Sequence, residues 1–249
     1  MMNAAPARTV RARQHGAATI EFYIVAFLVF IPLLMAVLQM GLFMVAKNTV
    51  NTAALNVARA GAASGGNKTH MEEAFANSVM PLYAATGLSV LSGSGAKEIT
   101  KGNYPVVWGA AYARARLEVA LPLLNRILLL NPTSKSFADF GINKAGGVRV
   151  IPVTNMDIDK NKVGPTSGQT RADSLLLKVE LHYCYAMAIP IIDDIVAETV
   201  AIWLGLTGNA EMIKDIPCTV KNPVTGKRGV PIVSQAVVRI TVPPVKSNF

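Results

Sequence analysis

The chain has 249 residues, 51% hydrophobic and 16% charged, with a mean hydropathy of +0.37. That is too apolar for an ordinary soluble domain and too polar for a many-helix membrane protein, so one membrane segment plus one folded domain is the balance it allows. The net charge of +9 and pI near 9.7 would suit an anionic partner. However, the basic residues are scattered and no RNP-like, zinc-finger or helix-turn-helix pattern is present, so a solvated basic surface is expected and nucleic acid is not.

Arg8, Arg11 and Arg13 open the chain and precede an apolar run that carries no charge from Phe22 to Ala46. As a helix this run extends about 37 Å, enough to cross a bilayer. It is too long for a secretory signal, and no A-x-A cleavage site follows it. The acid-free basic flank, set against Lys47 and Arg59 beyond the run, favours the N-terminus inside and the rest of the chain outside. Pro32 removes one backbone hydrogen bond inside the span and is expected to kink it. Beyond Ala46 the pattern turns amphipathic, with Val50, Ala53, Ala54, Val57 and Ala58 at helical spacing, and Gly61, Gly65 and Gly66 supply a stop. The expectation is one helix of about 45 residues.

At the mouth of this run stands a single acid, Glu21, five residues after Gly16. It could simply lie in the headgroup layer. Alternatively, a short leader is cut after Gly16, and Glu21 pairs with the new α-amino group of a neighbouring subunit, which would fix the register of packed helices because an unpaired charge there is penalised.

Gly16, four residues, Glu21-Phe22 and then a long apolar run resemble the prepilin processing motif of the tight-adherence (Flp-type) pilus system. "NTVNTAALNVARAGAASG", Asn48 to Gly65, is similar to the tail of the same helix in TadE-like minor pseudopilins. The resemblance implies cleavage by a prepilin peptidase between Gly16 and Ala17, with Glu21 and Phe22 completing the recognition motif. It also implies anchoring in a bacterial inner membrane with the C-terminal domain periplasmic or pilus-associated. Its implied partners are other pilins and the inner-membrane assembly platform, besides the lipid bilayer. Ala17 departs from the bulkier residue usual at that position.

Further along, Lys68 to Leu82 suggests a short helix and Gly87 to Asn103 a Gly/Ser-rich loop. "ARARLEVAL", Ala113 to Leu121, alternates as a half-buried strand would, whereas "LPLLNRILLLNP", Leu121 to Pro132, suggests a short buried or interfacial helix. Strands are also expected at Val148 to Val153, at Leu175 to Cys184 and at the closing Ala236, Val238, Ile240 and Val242. Ile191 to Leu206 is apolar enough to tempt as a second span, but Asp193, Asp194 and Glu198 would have to enter lipid. An amphipathic helix with Ile192, Ile195, Val196, Thr199 and Trp203 on one face fits better. One long helix followed by about four strands and short helices predicts an α+β fold with a mostly antiparallel sheet. The expected organisation is a basic leader (1–16), the membrane helix with its amphipathic extension (17–66) and an exported α+β head (67–249).

Cys184 and Cys218 are the only cysteines, so one disulfide is expected if the head is exported, and two unrelated buried thiols otherwise. Catalytic, cofactor and metal sites are not expected. "GAASGGNKT" departs from a phosphate-binding loop at Asn67, and "DIDKNKVG" lacks the turn glycine of a calcium loop at Lys162. His15, His70 and His182 have no ligand-spaced partner, and His182 falls on the polar face of its strand, exposed or locally bonded. Asp193-Asp194 reads as a helix-start charge, since neighbouring helical residues diverge too far to share a proton. The expected function is thus a minor pseudopilin that assembles through helix packing, the rival being an uncleaved single-pass anchor whose head binds an envelope ligand.

Overall fold

The structure is a computed structural model. It describes residues 17–83, 102, 104–122, 124–144, 146–154, 161–187, 192–207, 216–220 and 228–249. Its spine is a continuous rod: α1 (Ala17–Val25), a π-helical turn (Ala26–Phe30) and α2 (Ile31–Ala63). From Thr19 to Ala63 the rod runs 45 residues, as the sequence suggests. The π turn lies just before Pro32, which has no N–H to offer Leu28 four residues back, so the widened turn falls where the α-helical ladder must be broken.

The rod ends in a glycine cap. The amide of Gly66 donates to the Gly61 carbonyl at 2.8 Å, with Gly65 at φ +66° and Gly66 at φ +86°. This is the Schellman arrangement, in which a left-handed residue turns the chain back to satisfy the last carbonyls. Gly61 itself stays inside the helix, so the stop begins later than expected. The C-terminal segment closes over this end: Thr241 donates to Ala62 and Val245 to Gly65, both at 3.2 Å. The glycines resembling a phosphate loop are therefore used by the chain itself. Asn67 then caps α3 (Lys68–Val79), its side chain accepting from Thr69.

The remaining elements are α4 (Tyr104–Val119), β1 (Arg126–Asn131), α5 (Ser134–Phe140), β2 (Ile142–Asn143), β3 (Arg149–Val150), α6 (Arg171–Ser174), β4 (Leu176–Ala186), α7 (Ile192–Thr207) and β5 (Gly229–Arg239). The main sheet is antiparallel in the order β1-β4-β5, and β2 pairs with β3 alone. The α+β expectation is borne out.

The core forms where α2 crosses this sheet. Val50, Ala53, Ala54, Val57 and Ala58 are fully buried, and they meet Leu177, Val179, Leu181 and Tyr183 from one face of β4 in a single cluster. Small residues on the helix let the sheet approach closely: a Cβ on Gly61 would lie 2.8 Å from Leu177 Cδ2.

Two expected elements exchange identity. "ARARLEVAL" is helical as far as Val119, the end of α4, and is not a strand. Its alternation is coincidental, because the buried residues Val107, Ala111, Ala115 and Val119 recur every fourth position, and Leu117, expected inside, is 62% exposed. Conversely, the leucines of "RILLLN" form strand β1, not a helix; Ile127 and Leu129 pack on the core from the edge of the sheet. The strand expected at Val148 to Val153 shrinks to β3. On α7, Ala197 is buried and Val196 half-buried, whereas Thr199 and Trp203, expected on one face with Val196, are exposed; the side chains of Ile192 and Ile195 lie outside the described residues. Gly87 to Asn103, apart from Gly102, and Asp157 to Lys160 also lie outside them.

Candidate functional site: the anchor helix and its seat in the head

From residue 19 to residue 38 every side chain of the rod is exposed except the half-exposed Ala26. At 1.5 Å per residue this bare stretch is about 30 Å long, the thickness of a bilayer's hydrocarbon core. Phe22, Phe27, Leu28 and Leu38, each at least 64% exposed, would present a continuous apolar surface to water. Among the described residues this is the one helix long and apolar enough to cross a membrane.

Glu21 sits at the foot of this stretch, exposed on α1. Its helical neighbours Ala17, Ala18, Ile24 and Val25 carry no charge. Phe22 is exposed beside it and stacks edge-on with Tyr23, ring centroids 6.0 Å apart. Ala17 is the first residue of α1, and Gly16 lies outside the described residues.

Burial starts on one face at Gln39, which is 4% exposed, while Met40, Leu42, Met44 and Val45 on the other faces stay exposed. Its side chain hydrogen-bonds Tyr185, whose hydroxyl pKa is raised by burial and partly restored by that bond. Phe43 meets the Tyr185 ring edge-on at 6.0 Å. Here the head meets one face of the rod, and beside that contact lies an open cleft of about 290 Å³ lined by Ala36, Gln39, Met40, Phe43, Met187, Val196 and Val230. Gln39 has no counterpart among the sequence expectations; as a lone polar residue in an apolar run it was the available signal.

Inside the head, Glu118 of α4 is 1% exposed. Tyr83 donates to its Oε2 at 2.6 Å, which leaves the Tyr183 hydroxyl, 2.5 Å from that of Tyr83, to donate in turn. Arg114 Nε stands 3.9 Å from Oε1. Desolvation lifts the Glu118 pKa above its ordinary range, outweighing the Tyr83 hydrogen bond and Arg114, which lower it. Burial likewise raises Tyr83 and Tyr183 well above ordinary tyrosines. The trio bolts α4 to the middle of the sheet. Beside it, Asn125 donates to the Glu118 carbonyl at 2.7 Å and accepts from the Cys184 amide at 3.0 Å. His182, expected exposed or locally bonded, is buried and held by Glu180 at 2.7 Å, a carboxylate that Gln235 also contacts.

Cys184 and Cys218 form the disulfide, tying β4 to the 3₁₀ turn Ile216–Thr219. Asp194 at the start of α7 pairs with Arg228 at 3.2 Å. A hollow of about 320 Å³ between α3 and β1 is lined by the exposed Lys68 and its half-buried partner Glu72 but holds no nucleophile beside a base. Among the described residues no group of three His, Cys, Asp or Glu side chains could hold a metal ion.

An apolar N-terminal rod of membrane-spanning length, rooted in an α+β head, defines the class: a protein built on one N-terminal helix that fits a membrane anchor. Residues 16–59 match the model of the family described as TadE-like protein, which bears out the TadE-like resemblance over that segment. Comparison with curated proteins and with solved structures gave no match.

Proposed function

We propose that this chain is a TadE-like minor pseudopilin, held in a bacterial inner membrane by α1 and the first part of α2, that takes part in assembling a tight-adherence pilus. The observation that carries this reading is the bare stretch of residues 19–38 with Glu21 alone at its foot, inside the segment matching the TadE-like family. In this reading the basic leader stays cytoplasmic, prepilin peptidase cuts between Gly16 and Ala17, and the head folds in the periplasm. The Cys184–Cys218 bond supports an oxidising compartment for the head.

The mechanism is association. Side-by-side helices in lipid gain little from hydrophobicity alone, so packing and polar pairing decide which registers form. A carboxylate at the foot of each helix costs energy unless a neighbour's amino terminus meets it, and only one stagger allows that. Other pilins and the assembly platform are the partners this chemistry fits. Mass spectrometry of membrane-extracted protein should find a mature chain beginning at Ala17; an intact leader sinks the processing step. Glu21→Gln should reduce surface pili in the native host at least tenfold while leaving the membrane-inserted amount unchanged, since about 1.4 kcal/mol is already a factor of ten. Pili as abundant as before would remove the register role.

A further inference from the structure

The apolar segment that tempts as a second span has a different geometry in the folded chain. Helix α7 packs inward through Ala197, fully buried, and the half-buried Val196. Its last two turns turn an apolar face outward: Ile202 is 58%, Trp203 56% and Leu206 80% exposed. The described acids Asp194 and Glu198 are confined to the first half, where Asp194 pairs with Arg228.

The level of α7 along the rod follows from the cleft. Val196 shares its lining with Ala36, inside the bare stretch, and with Gln39, where burial begins. The helix therefore starts at the head-side edge of the hydrocarbon. The acids of α7 would have to enter lipid if it crossed, and its outer face is too apolar for water, whereas lying in the interface satisfies both halves. A tryptophan suits that layer, because its ring buries in the acyl boundary while its N–H reaches water or headgroups.

We propose that α7 is a second membrane contact, an interfacial helix whose Ile202, Trp203 and Leu206 lie in the headgroup and acyl boundary of the leaflet on the head's side. This rests on the membrane-anchor reading above. The consequence is orientational: a rod alone leaves helix and head free to rotate together about the rod's axis, and a helix lying on the bilayer beside it fixes which side faces neighbouring subunits.

The chain has two tryptophans, so Trp108→Phe leaves Trp203 as the sole indole; phenylalanine keeps an aromatic ring where Trp108 stacks on Tyr112. The full chain is reconstituted in phosphatidylethanolamine and phosphatidylglycerol vesicles carrying lipids brominated either near the ester end or near the methyl end of the acyl chain. Trp203 should lose most of its emission to the shallow bromines, little to the deep ones and little to aqueous iodide. Iodide quenching without lipid quenching overturns the proposal by placing the helix in water. Protection from both quenchers overturns it in favour of a protein cover such as a second copy. A Phe30→Trp reporter, in a chain with both native tryptophans changed to phenylalanine, tests the anchor separately. If deep bromines quench that reporter and shallow ones miss Trp203, only the α7 proposal falls; if the reporter escapes bromine altogether, the anchor reading falls and takes α7 with it.

Discussion

Gly229 begins β5 where the disulfide crosses it. A Cβ there would lie 2.6 Å from Cys184 Sγ and 2.9 Å from the Tyr185 carbonyl oxygen, and neither the bridge nor the strand backbone is a flexible side-chain end that can swing away. Gly229→Ala should therefore destabilise the fold by about 1–3 kcal/mol, the usual cost of overfilling a packed site. Gly109, in the middle of α4, has nothing within 4 Å of its Cβ position. Gly109→Ala should stabilise by about 0.5–1 kcal/mol through helix propensity; opposite shifts of the denaturation midpoint check the pair. Glu118 makes a pH prediction. Its folded pKa lies above the ordinary 4.5, so the folded state holds the proton longer than the unfolded chain does. Its effect on stability is then most favourable below 4.5 and declines as pH rises through the raised folded value. Glu118→Gln keeps an acceptor for Tyr83 without the buried charge. Thermal midpoints followed upward from acidic pH should fall less steeply in the variant than in the wild type, and parallel curves would mean that the burial of this carboxyl is not felt.

At the scale of elements, the disulfide closes a loop between residues 34 apart, joining a turn that has little core of its own to the central strand. Chain entropy puts its worth at roughly 3–4 kcal/mol, and replacing both cysteines with serine should lower the midpoint accordingly. Comparing midpoints with and without reductant provides the same measurement on the unaltered chain. The bridge was legible in the sequence because two cysteines leave one pairing. The rod and β4 were legible for a related reason: each has a run whose period is confirmed by its length, and Leu177, Val179, Leu181 and Tyr183 do line the buried face. In α4 and β1 the local pattern misleads. Arg114 and Arg116 happen to alternate with Ala115 and Leu117 in a helix held by alanines, which carry little hydrophobic signal, while β1 is an edge strand whose leucines read equally well as a buried helix. The candidate site divides the same way. Gly16 and Glu21 stand close together in sequence and so can be read as one local pattern, but Gln39 meets Tyr185 and Tyr83 meets Tyr183, contacts across 100 or more residues in sequence that no local pattern encodes.

At the scale of the molecule, the rod is two things end to end: bare over residues 19–38, and the central core element of the head from Ala46 onward. Removing the second part would strip β4 of its cover. Val50 and Val57 each contribute about 1.5–3 kcal/mol by burial, and Leu177, Val179, Leu181 and Tyr183 would be bared at similar cost each, so the total is on the order of a whole domain's 5–15 kcal/mol. A chain starting at Asn67 should therefore fail to fold. One starting at Lys47, which retains Val50 to Ala62 and the glycine cap, should unfold cooperatively on heating with its disulfide formed. Circular dichroism melts of the two chains decide the point: a cooperative transition in the shorter one would mean that the head closes its own core and the helix is only a tether. If the longer chain alone folds, the helix beyond Lys47 is part of the head's own core, and Gln39 and Phe43, both set against Tyr185, join the lipid-length stretch to that core.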